Sequence, residues 1–137
     1  MNEIKEELNK ISDILVEDFS PLAIILFGSY ARNTQNDESD IDIGIIANKL
    51  DKKIIFYEKQ KIEEMISKDI DLVNLTDENI SEGLRYEILM NGIVLYCLDS
   101  FKFDMYKLDM FREYLELSES RQDIINRVKK GGTIYGK

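Results

Sequence analysis

The chain has 137 residues, which is enough for one domain with its own core and too few for two. Its composition of 44% hydrophobic and 33% charged residues is that of an ordinary globular protein, and without an apolar run of transmembrane length or a signal-peptide core we expect no membrane association and a cytoplasmic location. The net charge of −9 argues against stable nucleic-acid binding, and the absence of histidine excludes histidine-based nucleophilic sites and histidine zinc sites.

Helices alternate with short strands along the chain. Apolar residues recur at helical spacing near the N-terminus until Pro21 interrupts the pattern, and continuous apolar runs such as LAIILF and IVLYC are typical of buried strands. The alternation predicts a single α+β domain over residues 1–137, with helices packed against one sheet. The predicted elements are a helix over 3–18, a strand over 22–27, a helical turn over 29–34, a loop over 33–39, a strand over 40–47, a helix over 52–68, a strand over 69–75, a helix over 78–91, a strand over 93–97 and a helix over 103–129. Met65 is expected to face inward on the helix over 52–68, and Thr76 or Asp77 is expected to cap the helix over 78–91.

Two acidic residues lie inside the segment DIDIGIIA, which otherwise has the pattern of a buried strand. Because a strand has a period of two, Asp40 and Asp42 point to the same side. Unpaired carboxylates beside a core are unfavourable, so a positive group is expected there. Arg32 is the nearest basic residue in the sequence, and a divalent ion such as Mg²⁺, which prefers oxygen ligands, is the natural candidate. Such a pair can hold two ions, as in nucleotidyl transfer.

A third carboxylate is available on the next predicted strand, in the segment DIDLV. Asp71 lies inside its apolar run, whereas Asp69 lies at its edge, so Asp71 is the favoured partner of the first pair. We expect it to ligate the second ion and to accept a proton from the attacking hydroxyl group.

A phosphate cradle is predicted where the first strand ends at Gly28 and Ser29. Glycine allows a phosphate to approach the main chain closely, and free backbone N–H groups at such a turn can bind an anion. Gly-Ser at a strand end is common, and most Asp-x-Asp pairs are solvated faces of edge strands. The combination of Gly-Ser, ten residues, Asp-x-Asp and a later strand aspartate is far more specific.

The segment GSYARNTQNDESDIDIGI resembles the Gly-Ser-x10-Asp-x-Asp signature of the minimal nucleotidyltransferases, relatives of the polymerase-β superfamily. IDLVNL resembles their third-carboxylate strand, and LRYEILMNGIVLY resembles the helix and strand that follow. The resemblance implies a polymerase-β-like fold, with a small mixed sheet flanked by helices, a core over about 22–97 and a C-terminal helix and tail over 101–137. It also implies an antitoxin that transfers AMP from ATP to a tyrosine of a HEPN ribonuclease toxin.

Carried over by position, the resemblance assigns Gly28 and Ser29 to the triphosphate, Asp40 and Asp42 to the metal ions, and Asp71 to the activating position. Arg32 contacts a phosphate or the partner, or is an ordinary surface arginine. One position departs from the usual pattern, because Asn33 replaces a glycine. Asparagine tolerates a left-handed backbone, so we expect the turn to survive.

Two other functions stay open at this stage. The chain could neutralise its toxin by binding alone, or it could modify a small molecule such as an aminoglycoside. Arg85 and Glu87 could approach the nucleotide, although a solvated face is the favoured interpretation. The aromatic residues between Phe101 and Tyr114 either pack on this domain or, with the tail over 131–137, form a docking surface for the partner.

Overall fold

The computed structural model describes residues 2–36, 38–48 and 50–118. The predicted tail over 131–137 and the end of the last predicted helix lie outside these residues. Within them, no helix combines the length and the apolar character that crossing a membrane requires. The elements are α1 (Asn2–Phe19), β1 (Ala23–Phe27), α2 (Gly28–Arg32), β2 (Ile41–Ile46), α3 (Lys52–Ile66), β3 (Ile70–Asn74), α4 (Glu82–Asn91), β4 (Ile93–Cys97) and α5 (Ser100–Ser118).

The four strands form one mixed sheet in the order β3-β2-β1-β4. β1 pairs antiparallel with both β2 and β4, whereas β2 and β3 are parallel. A parallel pair needs a crossover connection, and α3 provides it. The predicted α+β architecture, a small mixed sheet flanked by helices, is therefore confirmed.

The sheet separates two hydrophobic cores, because its central strands are apolar on both faces. α1 and α3 cover one face, and this core contains Ile11, Leu15, Ile24, Ile41, Ile43, Ile45 and Ile62. α4 and α5 cover the other face, where the core contains Ala23, Ile25, Ile46, Leu75, Ile88 and Phe103. Alternation along β2 turns its isoleucines at odd positions toward α1 and α3. It therefore turns Asp42 toward the α4 side of the sheet.

Two local predictions were wrong, both about helix geometry. Met65 was expected to face inward, but its side chain is 55% exposed because Ile62 and Ile66 form the buried line of α3. The fourth helix was expected to begin at residue 78 behind a cap at Thr76 or Asp77. It begins at Glu82, with the Ser81 side chain accepting the Leu84 N–H, while residues 76–80 form turns.

A buried carboxyl group lies between α1 and α3. Glu58 is 7% exposed, and its Oε2 has no hydrogen-bond partner. Asp18 lies beside it and is paired with Lys61, whose Nζ is 2.8 Å from Asp18 Oδ2. Burial, followed by the proximity of Asp18, raises the pKa of Glu58 to about 7. The same neighbourhood lowers the pKa of Asp18, through Glu58 and Lys61.

This pair predicts a pH-dependent stability. The pKa of Glu58 is higher in the folded protein than in the unfolded chain. The contribution of this group to the free energy of unfolding is therefore complete below its ordinary pKa of about 4.3, and it is lost as the pH rises through about 7. Asp18, with a lowered pKa, stays ionised throughout that window. Glu58→Gln should therefore unfold at a higher urea concentration than the wild type at pH 8, by up to about 3 kcal/mol in free energy, and show little difference at pH 4.5. An equal difference at both pH values would contradict the assignment.

Candidate active site

The register of the parallel strands brings two of the predicted carboxylates together. Asp42 of β2 pairs directly with Asp71 of β3, so the two side chains lie on neighbouring strands and on one face. Asp40 precedes β2 by one residue. Asp42 is half-buried, whereas Asp40 and Asp71 are exposed. Burial, then the charges of Asp71 and Asp40, raise the pKa of Asp42, and Arg32 opposes the shift.

Gly28 lies directly against the carboxylate of Asp42. Its φ of +74° is in the region that favours glycine. A Cβ added there would overlap Asp42 Oδ2 and lie 2.8 Å from its Cγ. The contact follows from the sheet, since Phe27, the last residue of β1, pairs with Asp42. Glycine is therefore required at this position both by the backbone and by the neighbouring carboxylate.

The turn at the end of α2 survives the replacement of glycine by asparagine, as expected. Asn33 adopts the left-handed conformation, with φ 59° and ψ 38°, and its N–H contacts the carbonyls of Ser29 and Tyr30. The N–H of Thr34 also donates to the Ser29 carbonyl, at 2.9 Å. Arg32, the exposed last residue of α2, is close enough to Asp42 to oppose the rise in its pKa. The predicted cradle residues and the carboxylates thus lie at one end of the sheet.

The edge strand that carries Asp71 is held by a contact that the sequence analysis missed. Glu63 lies in the last turns of α3, and its Oε2 accepts a hydrogen bond from the Ile70 N–H at 2.9 Å. The same oxygen forms an ion pair with Lys59 Nζ, also at 2.9 Å. Glu63, together with the charges of Asp69 and Asp71, raises the pKa of Lys59. The spacing of Lys59 and Glu63 on a helix is visible in the sequence, but the partner on β3 is not.

The carboxylates fit a hard cation that takes only part of its ligands from the protein. In the described part of the chain, no three acidic, cysteine or histidine side chains are grouped closely enough to hold a metal ion by themselves. The donor atoms available are carboxylate oxygens, which Mg²⁺ prefers, and Mg²⁺ ordinarily completes its shell with water and substrate phosphates. Burial, followed by the charges of Asp71 and Asp40, raises the pKa of Asp42, so a cation beside this carboxylate would favour its ionised form.

Among the cavities in the described part of the chain, two lie beside the strands that carry the predicted site residues. The smaller, of about 200 Å³, lies between α2 and α4 and is lined partly by Gly28, Arg32, Glu87 and Gly92. Glu87 is exposed, as the favoured interpretation had it, and it lines this cavity together with Gly28 and Arg32. A larger cavity of about 750 Å³ lies along the free edge of β3 beside the start of α3, but none of the predicted site residues lines it. The smaller cavity therefore adjoins the predicted phosphate residues Gly28 and Arg32, whereas none of the three aspartates lines either cavity.

Arg85 has a structural position that neither interpretation from the sequence anticipated. It is 7% exposed, so a solvated face is wrong for this residue. Its Nε donates to the Leu75 carbonyl at 2.8 Å, its Nη2 donates to the Asp77 carbonyl at 3.1 Å, and its Nη1 pairs with Glu82 at 2.6 Å. Arg85 therefore holds the segment that joins β3 to α4. These partners come from a turn that only folding brings near.

Most of the aromatic residues after β4 pack on this domain. Phe103 is buried, and Tyr86 of α4 stacks on Tyr114 at 4.2 Å between ring centroids and meets Phe111 edge-on at 5.3 Å. The packing interpretation is confirmed for these residues. Phe101 differs, because 72% of it is exposed.

The geometry has close counterparts among known proteins. The family model described as polymerase beta, nucleotidyltransferase, matches residues 9–101, which include all four strands and every predicted site residue. The chain belongs to this nucleotidyltransferase family. It is 32% identical over 122 residues to protein adenylyltransferase MntA of Shewanella oneidensis, a match that covers 88% of this chain and 86% of MntA.

Solved toxin–antitoxin structures have the same fold as this nucleotidyltransferase. A complex with AMP-PNP is 31% identical, with a TM-score of 0.76, and the match covers 89% of this chain and 98% of the other. A complex of a tri-AMPylated HEPN toxin with an MNT antitoxin, from Shewanella oneidensis, is 28% identical, with a TM-score of 0.72, covering 91% and 98%. The resemblance to the minimal nucleotidyltransferases and the polymerase-β-like fold are confirmed.

Proposed function

We propose that this chain is an antitoxin that transfers AMP from ATP to a tyrosine of a HEPN ribonuclease toxin and thereby silences it. The observation that carries the proposal is the contact of the Gly28 backbone with the Asp42 carboxylate, which faces Asp71 on the neighbouring strand. The predicted phosphate cradle thus lies beside the carboxylates of Asp42 and Asp71. The names of the relatives, a protein adenylyltransferase and complexes of an AMPylated HEPN toxin, support the choice of donor and acceptor.

The proposed roles follow the places of the side chains. The backbone at Gly28, the Ser29 hydroxyl and the Arg32 guanidinium bind the triphosphate. Asp40, Asp42 and Asp71 would hold two Mg²⁺ ions, with substrate and water supplying the remaining ligands. When bound, the ions neutralise charge on the phosphates and on the leaving group. The protein itself positions the ligand groups, because the pairing of β2 with β3 fixes the carboxylates relative to the proposed cradle.

The proposed reaction is an in-line displacement at the α-phosphorus. The tyrosine oxygen forms a bond to that phosphorus, and the bond to the bridging oxygen of the β-phosphate breaks, so that pyrophosphate leaves with its electron pair. Asp71 is exposed and pairs with Asp42 across the two strands, and in this scheme it accepts the proton of the tyrosine hydroxyl. In this scheme residues 1–137 form one nucleotidyltransferase domain with its core over about 22–97, and the partner supplies the acceptor.

Labelled ATP tests the proposed function. The purified chain is incubated with Mg²⁺, ATP labelled on the α-phosphate, and the HEPN protein encoded beside its own gene, and a parallel reaction contains an aminoglycoside instead. We expect label on a tyrosine of the HEPN protein, seen as one or more added AMP masses. A stable complex without label would instead support neutralisation by binding alone, and label on the aminoglycoside would support a small-molecule transferase.

Ser29→Ala should weaken the reaction without abolishing it. If the hydroxyl only orients the triphosphate, its loss should cost about 1–3 kcal/mol of transition-state stabilisation, the range for a hydrogen bond to a charged group. Ser29→Thr keeps the hydroxyl and serves as the control. Rates of AMP transfer by the two variants at saturating ATP measure the effect. Wild-type activity in Ser29→Ala would remove this hydroxyl from the phosphate site.

A further inference from the structure

Large apolar side chains are exposed along the free edge of β4 and on both sides of it. Among the residues that the structure describes, five of the exposed large apolar side chains fall within only twelve consecutive positions. Two are 47% exposed, and the others are 51–72% exposed. They define the β4 edge surface, which consists of Met90, Ile93, Val94, Leu98 and Phe101. Ile93 pairs with Leu26 and Val94 with Ile25, so their side chains lie on opposite faces of the sheet, and a partner that covers this edge would bury apolar side chains on both faces.

The edge itself carries little of the protection that exposed strands usually have. β4, with the sequence IVLYC, pairs only with β1 and contains neither a charged residue nor proline. Its one irregularity is a register shift on the side that pairs with β1. Natural edge strands are usually protected by lysine, proline or a covering element, because unpaired backbone groups attract other chains. An apolar, five-residue edge without these devices is suited to receiving a partner.

The opposite edge of the sheet is different. The Ile70 N–H of β3 is already bonded to the Glu63 side chain, and the next side chain along the strand is the exposed carboxylate of Asp71. Leu72 and Asn74 are buried. The exposed apolar surface therefore lies at the β4 edge and not at the edge that carries Asp71.

One end of the β4 edge surface lies near the end of the sheet that carries the proposed phosphate and metal residues. Ile93 pairs with Leu26, the residue before Phe27, which in turn pairs with Asp42. Gly92 packs tightly on β1, since a Cβ there would overlap the Ile25 side chain and lie 3.1 Å from the Leu26 carbonyl, and it lines the cavity beside Gly28. A protein that covers β4 is therefore placed next to the proposed phosphate and metal residues.

We propose that the β4 edge surface is the docking surface for the HEPN toxin, an inference that rests on the proposed function. A toxin bound there presents its acceptor tyrosine from the side of the cavity lined by Gly28 and Glu87. A second copy of this chain is a poorer occupant, because two chains that each carry a net charge of −9 repel one another. The five side chains of this surface are uncharged, so they form no ion pairs that would offset that repulsion. Burial of the five side chains supplies the apolar centre that stable interfaces need.

A matched pair of lysine substitutions tests this surface. Ile93→Lys adds a charge to the edge of β4, where lysine is well tolerated by the fold. Ile54→Lys alters a residue of similar exposure, 41% against 47%, on α3, which packs against β3 at the opposite edge of the sheet. Met90→Lys, at 51% exposure on the helix α4, is a second test that does not depend on the strand. Calorimetry with the HEPN protein encoded beside the gene measures affinity, and thermal unfolding and ATP titration check that each variant is intact.

We expect Ile93→Lys and Met90→Lys to weaken binding of the HEPN protein by at least about tenfold, and Ile54→Lys to leave it unchanged, with ATP affinity equal in all four proteins. Wild-type affinity in both β4 edge variants would overturn the docking surface while leaving the proposed function intact. The docking surface would also be overturned if the chain alone were dimeric and Ile93→Lys made it monomeric without weakening toxin binding. A wild-type chain that neither binds nor labels the HEPN protein would overturn the proposed function itself.

Discussion

Asp42→Asn should lower AMP transfer by about 10²-fold or more, while the protein stays folded. The substitution removes one negative oxygen from the point where the cradle and the carboxylates meet, and mispositioning at a reacting centre alone costs about that factor. Its effect on folding has the opposite direction. Burial and the charges of Asp71 and Asp40 raise the pKa of Asp42, so the ionised group is unfavourable in the folded protein without metal. The metal-free variant should therefore be at least as stable as the wild type.

The neighbouring carboxylates provide the controls for this experiment. Asp71→Asn should lower the rate to a similar extent, because Asp71 pairs with Asp42 across the two strands. Asp69→Asn should retain most of the activity, because Asp69 lies outside β3. Single-turnover rates of AMP transfer and urea unfolding at pH 7 give the two readouts. Wild-type transfer by Asp42→Asn, or a variant that does not fold, would refute the assignment of this residue.

Gly28→Val should abolish ATP binding and destabilise the fold, and Gly28→Ala should do so to a smaller extent. Any side chain at this position adopts a left-handed backbone, which costs roughly 1–2 kcal/mol. Its Cβ also overlaps the Asp42 carboxylate, and such overpacking costs about 1–3 kcal/mol. Because the carboxylate must move away, the substitution disturbs the proposed cradle and the metal ligands together. Calorimetric titration with an ATP analogue measures the first effect, and urea unfolding measures the second.

A double-mutant cycle separates backbone strain from the clash. In an Asp42→Ala background the carboxylate is absent, so Gly28→Ala should cost only the left-handed backbone, and the difference from the wild-type background measures the contact. Gly83→Ala is the control, because a Cβ there meets nothing within 4 Å and alanine in a helix is favoured over glycine by about 0.5–1 kcal/mol. If Gly28→Ala lowers the free energy of unfolding equally in both backgrounds, the contact with Asp42 makes no contribution to stability.

Much of the architecture could be predicted because its signals are local. The apolar run of β1, the alternation of β2 and the helical spacing in α1 each depend on neighbouring residues, and each element was found. The orientation of Asp40 and Asp42 to one side follows from the period of a strand alone. The motif at Gly28 and Ser29 was visible for the same reason, and its spacing to the aspartates led to the correct family.

The relations between distant segments came only from the tertiary structure. The contact of Gly28 with Asp42, the bond from Ile70 to Glu63 and the burial of Arg85 against the Leu75 and Asp77 carbonyls each join elements that strand pairing or crossover connections bring together. Their residue types are compatible with exposed positions, so no local pattern distinguishes them. The exposure of Ile93 and Val94 depends likewise on β4 being an edge strand, because the same apolar sequence in the middle of the sheet would be buried.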